Sequence, residues 1–419
     1  MLTVDIGTPP QKIYAQLDTG SFELWINPDC GNVNVLDRQF CHSVGHYQPS
    51  RSSTAVVSNK VNMLRYGIGA ANITYVLDHV SLPGAGTAIE PMQFGVATAT
   101  QDQFSGILGI GFGQNMTIGY KNFVDQLQAQ NLTATKSFSI ALGSKQEAQG
   151  AIVFGGVDTS KFTGKLAPVP IIPAQESPDG VARYWVMLES IMHQSAVIKD
   201  SRLPVILDTG TTLSLLPKPI VNDMAAQLQS PGVDARGLHM IDCAKTHDEG
   251  SFDFVFGATT IRVPYHEMIR KIDASPLGPE QCYLGVMEGN NLALLGDTFL
   301  RSAYTVFDLE ANMTHMAQYA NCGSSPRTIA QSSDFDGIEG LCSASDSIAA
   351  QDDRQGAIEI QGEAAPGNGG GQDGKEDGSE DSKGDRDTEV QSAAVRGGAA
   401  GVWRVAAGAL AASVSWALL

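Results

Sequence analysis

Short runs in which apolar and polar residues alternate make up the first three quarters of the chain, and clusters of Gly, Pro, Asn and Ser separate them. This texture is typical of β-strands joined by turns. Helical spacing is confined to two short stretches, 122–129 and 218–228, which we predict as helices. The same texture occurs over 1–165 and again over 166–322, so we expect an all-β protein with two lobes. The segment 168–191 should cross between the lobes and contribute to a sheet that both share.

The composition changes after residue 322. Twelve acidic and four basic residues occur between 351 and 389, and no aromatic residue occurs between 336 and 402. Such a segment cannot bury enough apolar surface to fold, because its polar residues gain nothing from leaving water. We therefore expect residues 323–401 to form a disordered tail.

The chain ends in an apolar segment, 402–419, in which Arg404 is the one charged residue. Small residues at 392–394, a short spacer and this apolar end form the pattern of a GPI attachment signal, with Gly397 as a second candidate attachment residue. A tail anchor that stays in the bilayer is the alternative, although the segment is shorter than the ~20 residues that a spanning helix needs. We expect a membrane partner through one of these two anchors.

Charge and cysteine content narrow the class of protein. The net charge of −18 argues against a nucleic-acid partner, whose phosphates need Lys and Arg. Neither a Gly-rich phosphate loop nor a Gly-x-Ser-x-Gly nucleophile motif occurs. Six cysteines and several glycosylation sequons indicate an oxidising, secretory route. The sequons begin at Asn72, Asn115, Asn131 and Asn312.

The strongest chemical signal is a triplet, Asp-Thr-Gly, that occurs at 18–20 and again at 208–210. Each copy follows an apolar, strand-like run and precedes a small hydroxyl residue, Ser21 or Thr211. A single copy would be a turn sequence. Two copies in matching contexts indicate a duplicated half-site in which two carboxylates face each other. Because close carboxylates cannot both ionise easily, one keeps a proton, and the pair supplies a general acid and a general base.

The duplication extends beyond the triplets. An apolar-apolar-Gly element follows each of them at a similar distance, at 107–109 and at 294–296. With these parts in this order, the chain resembles the pepsin-like aspartic peptidases over residues 2–322, and is similar to the GPI-anchored yapsin-like proteases of fungi. Further marks of the resemblance are residues 5–11, Leu24-Trp25, Tyr66-Gly67, residues 153–156 and residues 295–299.

The resemblance implies a bilobal fold of two pseudo-symmetric β lobes with an interlobe sheet and a cleft between them. In the cleft, Asp18 and Asp208 would activate a water molecule for attack on a peptide bond, without a metal ion or cofactor. The triplet residues and the hydroxyl residues after them would support the two carboxylates. These catalytic-support residues are Thr19, Gly20, Ser21, Thr209, Gly210 and Thr211.

The resemblance also implies a flap over the cleft. Tyr66 and Gly67 would lie in it, Tyr66 would hydrogen-bond Trp25, and Phe104 would line a subsite. The alternative is that these aromatic residues are ordinary core residues. Ile68 stands where relatives usually carry a small hydroxyl residue, and Phe22 replaces a usual second Ser.

For the cysteines, the resemblance implies two local disulfides, leaving one further pair that would tie the start of the tail to the second lobe. Zinc binding by Cys30, Cys41, His42 and His46 is the alternative, but the spacing is irregular and a secretory setting favours a disulfide. The implied pairs are Cys30 with Cys41 and Cys243 with Cys282, and the remaining two are Cys322 and Cys342.

These observations predict an aspartic endopeptidase that acts on proteins or peptides at acidic pH. We expect a monomer at the extracellular face of the plasma membrane or in the cell wall. The alternative is a catalytically silent homologue that binds peptides or contributes to the cell wall. Relatives carry a signal peptide, an inhibitory prosegment and a further strand upstream, so we expect Met1 to fall inside a longer protein. Glu23 and Asp37 are candidates for selecting basic substrate residues, but we expect plain surface charge for both.

Overall fold

The computed structural model describes most of the first 347 residues and the backbone of 402–406. Positions outside the described residues are 28, 32–37, 84–87, 102–104, 148, 273–279, 290–291, 348–401 and 407–419. The expected subsite residue Phe104, the candidate Asp37, the GPI attachment residues and most of the tail therefore lie outside the described residues.

The described part of the first lobe contains short strands and two α-helices. Its strands are β1 (Leu2–Ile6), β2 (Gln11–Asp18), β3 (Leu24–Ile26), β4 (Val56–Arg65), β5 (Ala70–Ser81), β6 (Ala88–Gln101), β7 (Gly106–Gly109), β8 (Ser137–Ala141), β9 (Gln149–Phe154) and β10 (Gly156–Asp158). Its helices are α1 (Arg38–Ser43) and α2 (Phe123–Ala129). The predicted helix at 122–129 is confirmed, and the side chain of Asn122 caps it by accepting a hydrogen bond from the amide of Asp125.

The rest of the described chain repeats this construction. Its strands are β11 (Phe162–Pro170), β12 (Trp185–Leu188), β13 (Ser190–His193), β14 (Ala196–Val197), β15 (Leu203–Leu207), β16 (Ser214–Leu216), β17 (Gly232–Val233), β18 (His239–Ile241), β19 (Ser251–Phe256), β20 (Thr259–Pro264), β21 (Ile269–Ile272), β22 (Gln281–Leu284), β23 (Val286–Glu288), β24 (Leu294–Leu295), β25 (Ala303–Asp308), β26 (Met313–Tyr319), β27 (Pro326–Thr328) and β28 (Val402–Ala406). Its helices are α3 (Lys218–Gln227), α4 (Tyr265–Met268) and α5 (Asp297–Leu300). The helix predicted at 218–228 is α3.

The two lobes place their Asp-Thr-Gly triplets in the same way. In the first, β2 pairs in parallel with β7, and Asp18 lies opposite Gly109. In the second, β15 pairs in parallel with β24, and Leu207 lies opposite Leu295. Each apolar-apolar-Gly element is thus the parallel neighbour of the strand that leads into a triplet. This pairing explains why the sequence carries both elements twice.

A six-stranded sheet joins the lobes. Its order is β11-β26-β25-β8-β9-β28, so it contains strands from both halves of the chain. The prediction for segment 168–191 was correct only for its beginning, because β11 lies in this sheet. Trp185–Leu188 instead pairs with β15 in the five-stranded sheet of the second lobe, since its apolar residues are buried there beside the second triplet.

The joining sheet packs into an apolar core that extends through both lobes. The rings of Phe138 and Phe307 stack with their centroids 4.8 Å apart, and the ring of Tyr184 lies 4.5 Å from that of Phe307. The Tyr184 hydroxyl donates a 2.6 Å hydrogen bond to the carbonyl of Ile110, the residue directly after the first apolar-apolar-Gly element. These contacts fix the lobes relative to each other close to the triplets.

Three disulfides connect the described cysteines. The two implied pairs are confirmed, and they exclude zinc ligation through Cys30 and Cys41, whose sulfur atoms bond each other rather than remaining thiolates. The third bond joins Cys322 to Cys342.

The start of the predicted disordered tail was wrong, because structure continues to residue 347. The disulfide closes 322–342 into a loop, and Ile329, Phe335 and Ile338 of that loop are buried against the joining sheet. β27, in the same loop, pairs with β10. The loop therefore buries enough apolar surface to be ordered, which its polar composition concealed.

Near the end of the chain, β28 pairs antiparallel with β9 at the edge of the joining sheet, with Val402 opposite Val153. The rest of the apolar segment predicted as an anchor lies outside the described residues. Over the described part of the chain, every helix is too short or too polar to cross a bilayer.

Candidate active site

Asp18 and Asp208 meet at the boundary between the lobes. Asp18 is the last residue of β2, and Asp208 directly follows β15. The two residues are only 6% and 9% exposed. Burial of two neighbouring carboxyl groups is costly unless they are hydrogen-bonded and share a proton.

Each carboxyl group receives the same pair of hydrogen bonds. The Gly20 amide donates to Asp18 Oδ1 at 2.8 Å, and the Ser21 hydroxyl donates to Asp18 Oδ2 at 2.5 Å. In the other lobe, the Gly210 amide donates to Asp208 Oδ1 at 2.8 Å, and the Thr211 hydroxyl donates to Asp208 Oδ2 at 2.7 Å. The structure thus brings together all of these predicted support residues with the carboxyl groups.

The two glycines are required by the closeness of the carboxyl groups. A Cβ atom added to Gly20 would lie 2.5 Å from Asp208 Oδ1, closer than real Cβ contacts come. A Cβ on Gly210 would collide in the same way with Asp18 Oδ1. Each triplet therefore packs its glycine backbone against the carboxylate of the opposite lobe, which only a residue without a side chain permits.

Thr19 and Thr209 connect the lobes beneath the carboxyl groups. The Thr19 hydroxyl donates to the Leu207 carbonyl at 2.8 Å, and the Thr209 hydroxyl donates to the Leu17 carbonyl at 2.9 Å. Each hydroxyl oxygen also accepts a hydrogen bond from the amide of the other threonine. The side chains implied to grip across the lobes do so.

The electrostatics of the pair favour a retained proton. Burial, followed by the charge of Asp208, raises the pKa of Asp18 to about 7. The hydrogen bonds from Ser21 and Gly20 act in the opposite direction, because they stabilise the carboxylate form. One group of the pair therefore stays protonated well above the usual range of a carboxylic acid, which suits general acid chemistry.

The predicted flap is the hairpin of β4 and β5. The Tyr66 amide donates to the Gly69 carbonyl at 3.1 Å, which closes the turn, and Gly67 lies between them. The indole nitrogen of Trp25 donates to the Tyr66 hydroxyl at 2.6 Å, as implied. Burial, followed by the charge of Asp18, raises the pKa of Tyr66, so the hydroxyl stays neutral beside the carboxyl pair. Ile68, at the tip, is 44% exposed.

The carboxyl group of Glu23 is buried beside the flap hairpin. It is 7% exposed, so the expectation of a surface charge was wrong. The Tyr75 hydroxyl lies 3.1 Å and 3.0 Å from its two oxygens, and Asn62 donates to that hydroxyl at 3.0 Å. Burial raises the pKa of Glu23. The position of Glu23 directly before the apolar strand β3 was the sequence signal that could have predicted its burial.

The four sequons all lie at the surface. Asn72 is an exposed residue of β5, within the flap hairpin. The other three occupy turns with positive φ, at 69° for Asn115, 57° for Asn131 and 50° for Asn312. Asparagine is among the residues that adopt this backbone conformation most readily.

A solved structure has the same fold. The crystal structure of the aspartic proteinase from Irpex lacteus matches with a TM-score of 0.61 at 23% sequence identity, over 76% of this chain and 93% of that one. The pepsin-like bilobal fold expected from the sequence is thereby confirmed.

Sequence comparisons extend the likeness to a family. The family model described as "Eukaryotic aspartyl protease" matches residues 1–319. The "Acid protease" of Saccharomycopsis fibuligera is 31% identical over 330 residues, which cover 76% of this chain and 80% of that protein. "Secreted aspartic protease 8" of Candida albicans is 33% identical over 324 residues, 75% of each chain. Barrierpepsin of Saccharomyces cerevisiae is 31% identical over 358 residues, 75% of this chain and 59% of that protein. The chain belongs to the eukaryotic aspartyl protease family and is an aspartic-type endopeptidase.

Proposed function

We propose that Asp18 and Asp208 hydrolyse peptide bonds of proteins by acid–base activation of one water molecule. The observation that carries this proposal is the matched set of donors around the pair: a glycine amide and a hydroxyl on each carboxyl group. These donors fix the plane of each carboxyl group, so that the pair can share a proton and hold a water molecule.

The reaction follows from one shared proton. Asp18, whose pKa is raised to about 7, holds it, and Asp208 is the base. As Asp208 takes a proton from the water, the resulting hydroxide attacks the substrate carbonyl carbon, and Asp18 gives its proton to the carbonyl oxygen. A neutral tetrahedral diol results. Asp208 then returns its proton to the leaving nitrogen while Asp18 takes a proton back from a diol hydroxyl. The C–N bond breaks, the products are an amine and a carboxylic acid, and the pair again holds one proton.

The flap supports the same chemistry. Tyr66 lies near enough to Asp18 for that charge to affect its hydroxyl, and Trp25 fixes that hydroxyl in place. A hairpin that closes over bound substrate would exclude bulk water and so strengthen the electrostatic interactions between the carboxyl pair and the reacting bond.

Acidic conditions suit this pair. Above the raised pKa of about 7, Asp18 loses the proton that the carbonyl oxygen needs, so activity should fall. We therefore propose an activity maximum on the acidic side of neutrality.

We also propose that the enzyme is a monomer that works outside the cell, attached at the plasma membrane or cell wall. Three disulfides, the sequons and the word "Secreted" in the names of Candida relatives support an extracellular location. The small residues at 392–394 followed by an apolar end support a GPI anchor. Release of the mature protein from cells by a phosphatidylinositol-specific phospholipase tests the anchor, and retention after this treatment contradicts it.

Cleavage of a denatured protein at pH 3–5 tests the catalytic proposal. We expect cleavage that pepstatin blocks and that Asp208→Asn abolishes, because the amide cannot act as the base. The matched control is Asp200→Asn, which changes an acidic residue in an exposed turn outside the site. Absence of cleavage by the full-length precursor after acid activation would favour the silent, peptide-binding homologue.

A further inference from the structure

The carbonyl oxygens of both triplet glycines accept a hydrogen bond from a side chain of the opposite lobe. Arg183 Nη1 donates to the Gly20 carbonyl at 2.7 Å. Gln16 Nε2 donates to the Gly210 carbonyl at 2.7 Å. Neither donor belongs to an Asp-Thr-Gly triplet, and the proposed proton transfers do not use them.

Arg183 is itself held by the second lobe. Its Nε donates to Asp179 Oδ2 at 2.7 Å, and Trp185 donates from its indole nitrogen to Asp179 Oδ1 at 3.0 Å. Trp185 is the first residue of β12 and pairs with Ile206, two residues before Asp208. The guanidinium also lies over the ring of Phe22 in the first lobe, 5.2 Å from its centroid. Arg183 therefore connects the strand of one catalytic carboxyl group to the loop of the other.

Gln16 makes the reverse connection. It lies in β2, two residues before Asp18, and pairs with Ile107 of β7. Its amide group reaches the Gly210 carbonyl in the other lobe while its backbone stays in the first sheet. The two contacts are thus reciprocal, although one donor is charged and the other is neutral.

The two carbonyl groups matter because each belongs to the peptide that leads into a hydroxyl residue of the site. The Gly20 carbonyl is part of the planar peptide group that joins Gly20 to Ser21, so a donor that holds this oxygen also orients Ser21. Ser21 in turn donates to Asp18 Oδ2. The Gly210 carbonyl stands in the same relation to Thr211, which donates to the second carboxyl group. Glycine backbone is conformationally permissive, so these peptides gain most from an external contact.

We propose that Gln16 and Arg183 are reciprocal positioning residues, each of which holds the peptide that orients the catalytic carboxyl group of the opposite lobe. They couple the relative placement of the lobes to the geometry of the pair. This inference rests on the proposed catalytic role of Asp18 and Asp208.

Steady-state hydrolysis of a quenched fluorescent peptide by Arg183→Ala and Gln16→Leu tests the proposal, with pepstatin titration to count intact sites. We expect kcat to fall about 10-fold for each variant and KM to change by less than about threefold, because misplacement of reacting groups by about 1 Å costs up to 10²-fold. The double variant should lose less than the product of the two single losses, since both contacts maintain one register. The kcat of Arg183→Lys should lie between those of the wild type and of Arg183→Ala, because a single ammonium cannot reproduce the fork that contacts both Asp179 and Gly20.

Arg202→Ala is the matched control. Arg202 also pairs with a carboxylate through Nε, at 2.8 Å from Glu189, but its side chain is 65% exposed and lies outside both triplets. We expect its kcat to equal that of the wild type. Unchanged kcat, within about twofold, in both Gln16→Leu and Arg183→Lys overturns the proposal, as does an equal loss in Arg202→Ala. If Arg183→Ala does not fold, the kcat values of Gln16→Leu and Arg183→Lys test the proposal. Failure of the catalytic proposal would give a different result. The wild-type protein would then be inactive, or the Asp208→Asn variant would be active.

Discussion

Thr19 and Thr209 exchange hydrogen bonds across the lobe boundary, with the amide of each donating to the hydroxyl oxygen of the other at 3.1 Å and 2.9 Å. Both side chains are buried. The Thr19 hydroxyl donates to the Leu207 carbonyl and the Thr209 hydroxyl donates to the Leu17 carbonyl, so each hydroxyl both donates and accepts a hydrogen bond. This small closed network links the two residues that directly follow the paired aspartates, Asp18 and Asp208.

Replacing Thr19 by Val should therefore destabilise the fold and weaken catalysis together. The change keeps the shape but leaves the Leu207 carbonyl and the Thr209 amide buried without the threonine hydroxyl, which costs about 1–3 kcal/mol for each unsatisfied group. Urea unfolding measures the loss. Thr260→Val, at an exposed position of β20, is the control and should change stability by less than about 0.5 kcal/mol. Equal unfolding free energies for the two variants would contradict the role of the network.

Removal of the Ser21 hydroxyl should move the alkaline limb of the pH profile upward. That hydroxyl bonds the carboxylate form of Asp18 and lowers its pKa, so Ser21→Ala raises the pKa further above about 7. The proton needed on Asp18 is then kept to higher pH. A profile of kcat/KM across the acidic and mildly alkaline range measures the shift, and a downward shift of that limb is the contrary result.

The carboxyl group of Asp18 should also make the stability of the fold depend on pH. The pKa of Asp18 rises from an ordinary 3.8 to about 7 on folding, so the folded state binds more protons between these values. Its stabilising contribution is complete below the unfolded pKa and is lost as pH rises through about 7. Denaturation midpoints measured across this window should fall with pH, and Asp18→Asn should flatten that slope. An unchanged slope in the variant would assign it to other groups.

The flap should depend on the bond between Trp25 and Tyr66. Trp25→Phe removes the 2.6 Å donor to the tyrosine hydroxyl while keeping an aromatic ring in the pocket. We expect kcat/KM to fall about 10-fold, because a net hydrogen bond of about 1 to 1.5 kcal/mol is lost from the closed flap. Tyr283→Phe on β22, in the second lobe, serves as the control for loss of a polar aromatic atom. Identical kinetics for wild type and Trp25→Phe would rule out this role for the pair.

A glycan on Asn72 should cover apolar surface of the flap. Asn72 lies directly opposite Met63 of the edge strand β4, and its sequon residue Thr74 lies opposite Val61. Met63 is 49% and Val61 74% exposed. We expect Asn72→Gln to remove one glycan and to increase binding of an apolar dye, whereas Asn131→Gln removes a glycan without that increase. An unmodified Asn72 in secreted protein would contradict this prediction.

Patterns within a short stretch of chain were predictable from the sequence. The strand pattern and the helices at 122–129 and 218–228 were correct because each depends on neighbouring residues. The two disulfide pairs were correct because the family resemblance implied them. The support of Asp18 by Gly20 and Ser21 was likewise expected from the resemblance, and it involves residues within three positions of Asp18. Glu23 was misjudged because its burial comes from Tyr75, which folds over it from β5.

The linear sequence was enough to establish which chemistry the chain carries: two Asp-Thr-Gly triplets, each with a hydroxyl residue and an apolar-apolar-Gly partner strand. The packing of the two lobes was needed to show which distant groups complete the site. The contacts of Arg183 with Gly20 and of Gln16 with Gly210 join residues 163 and 194 positions apart. Such hydrogen bonds form only when the sheets of the two lobes are placed accurately relative to each other. A linear pattern of apolar and polar residues predicts which face of a strand is buried, but it does not predict which distant residue packs against that face.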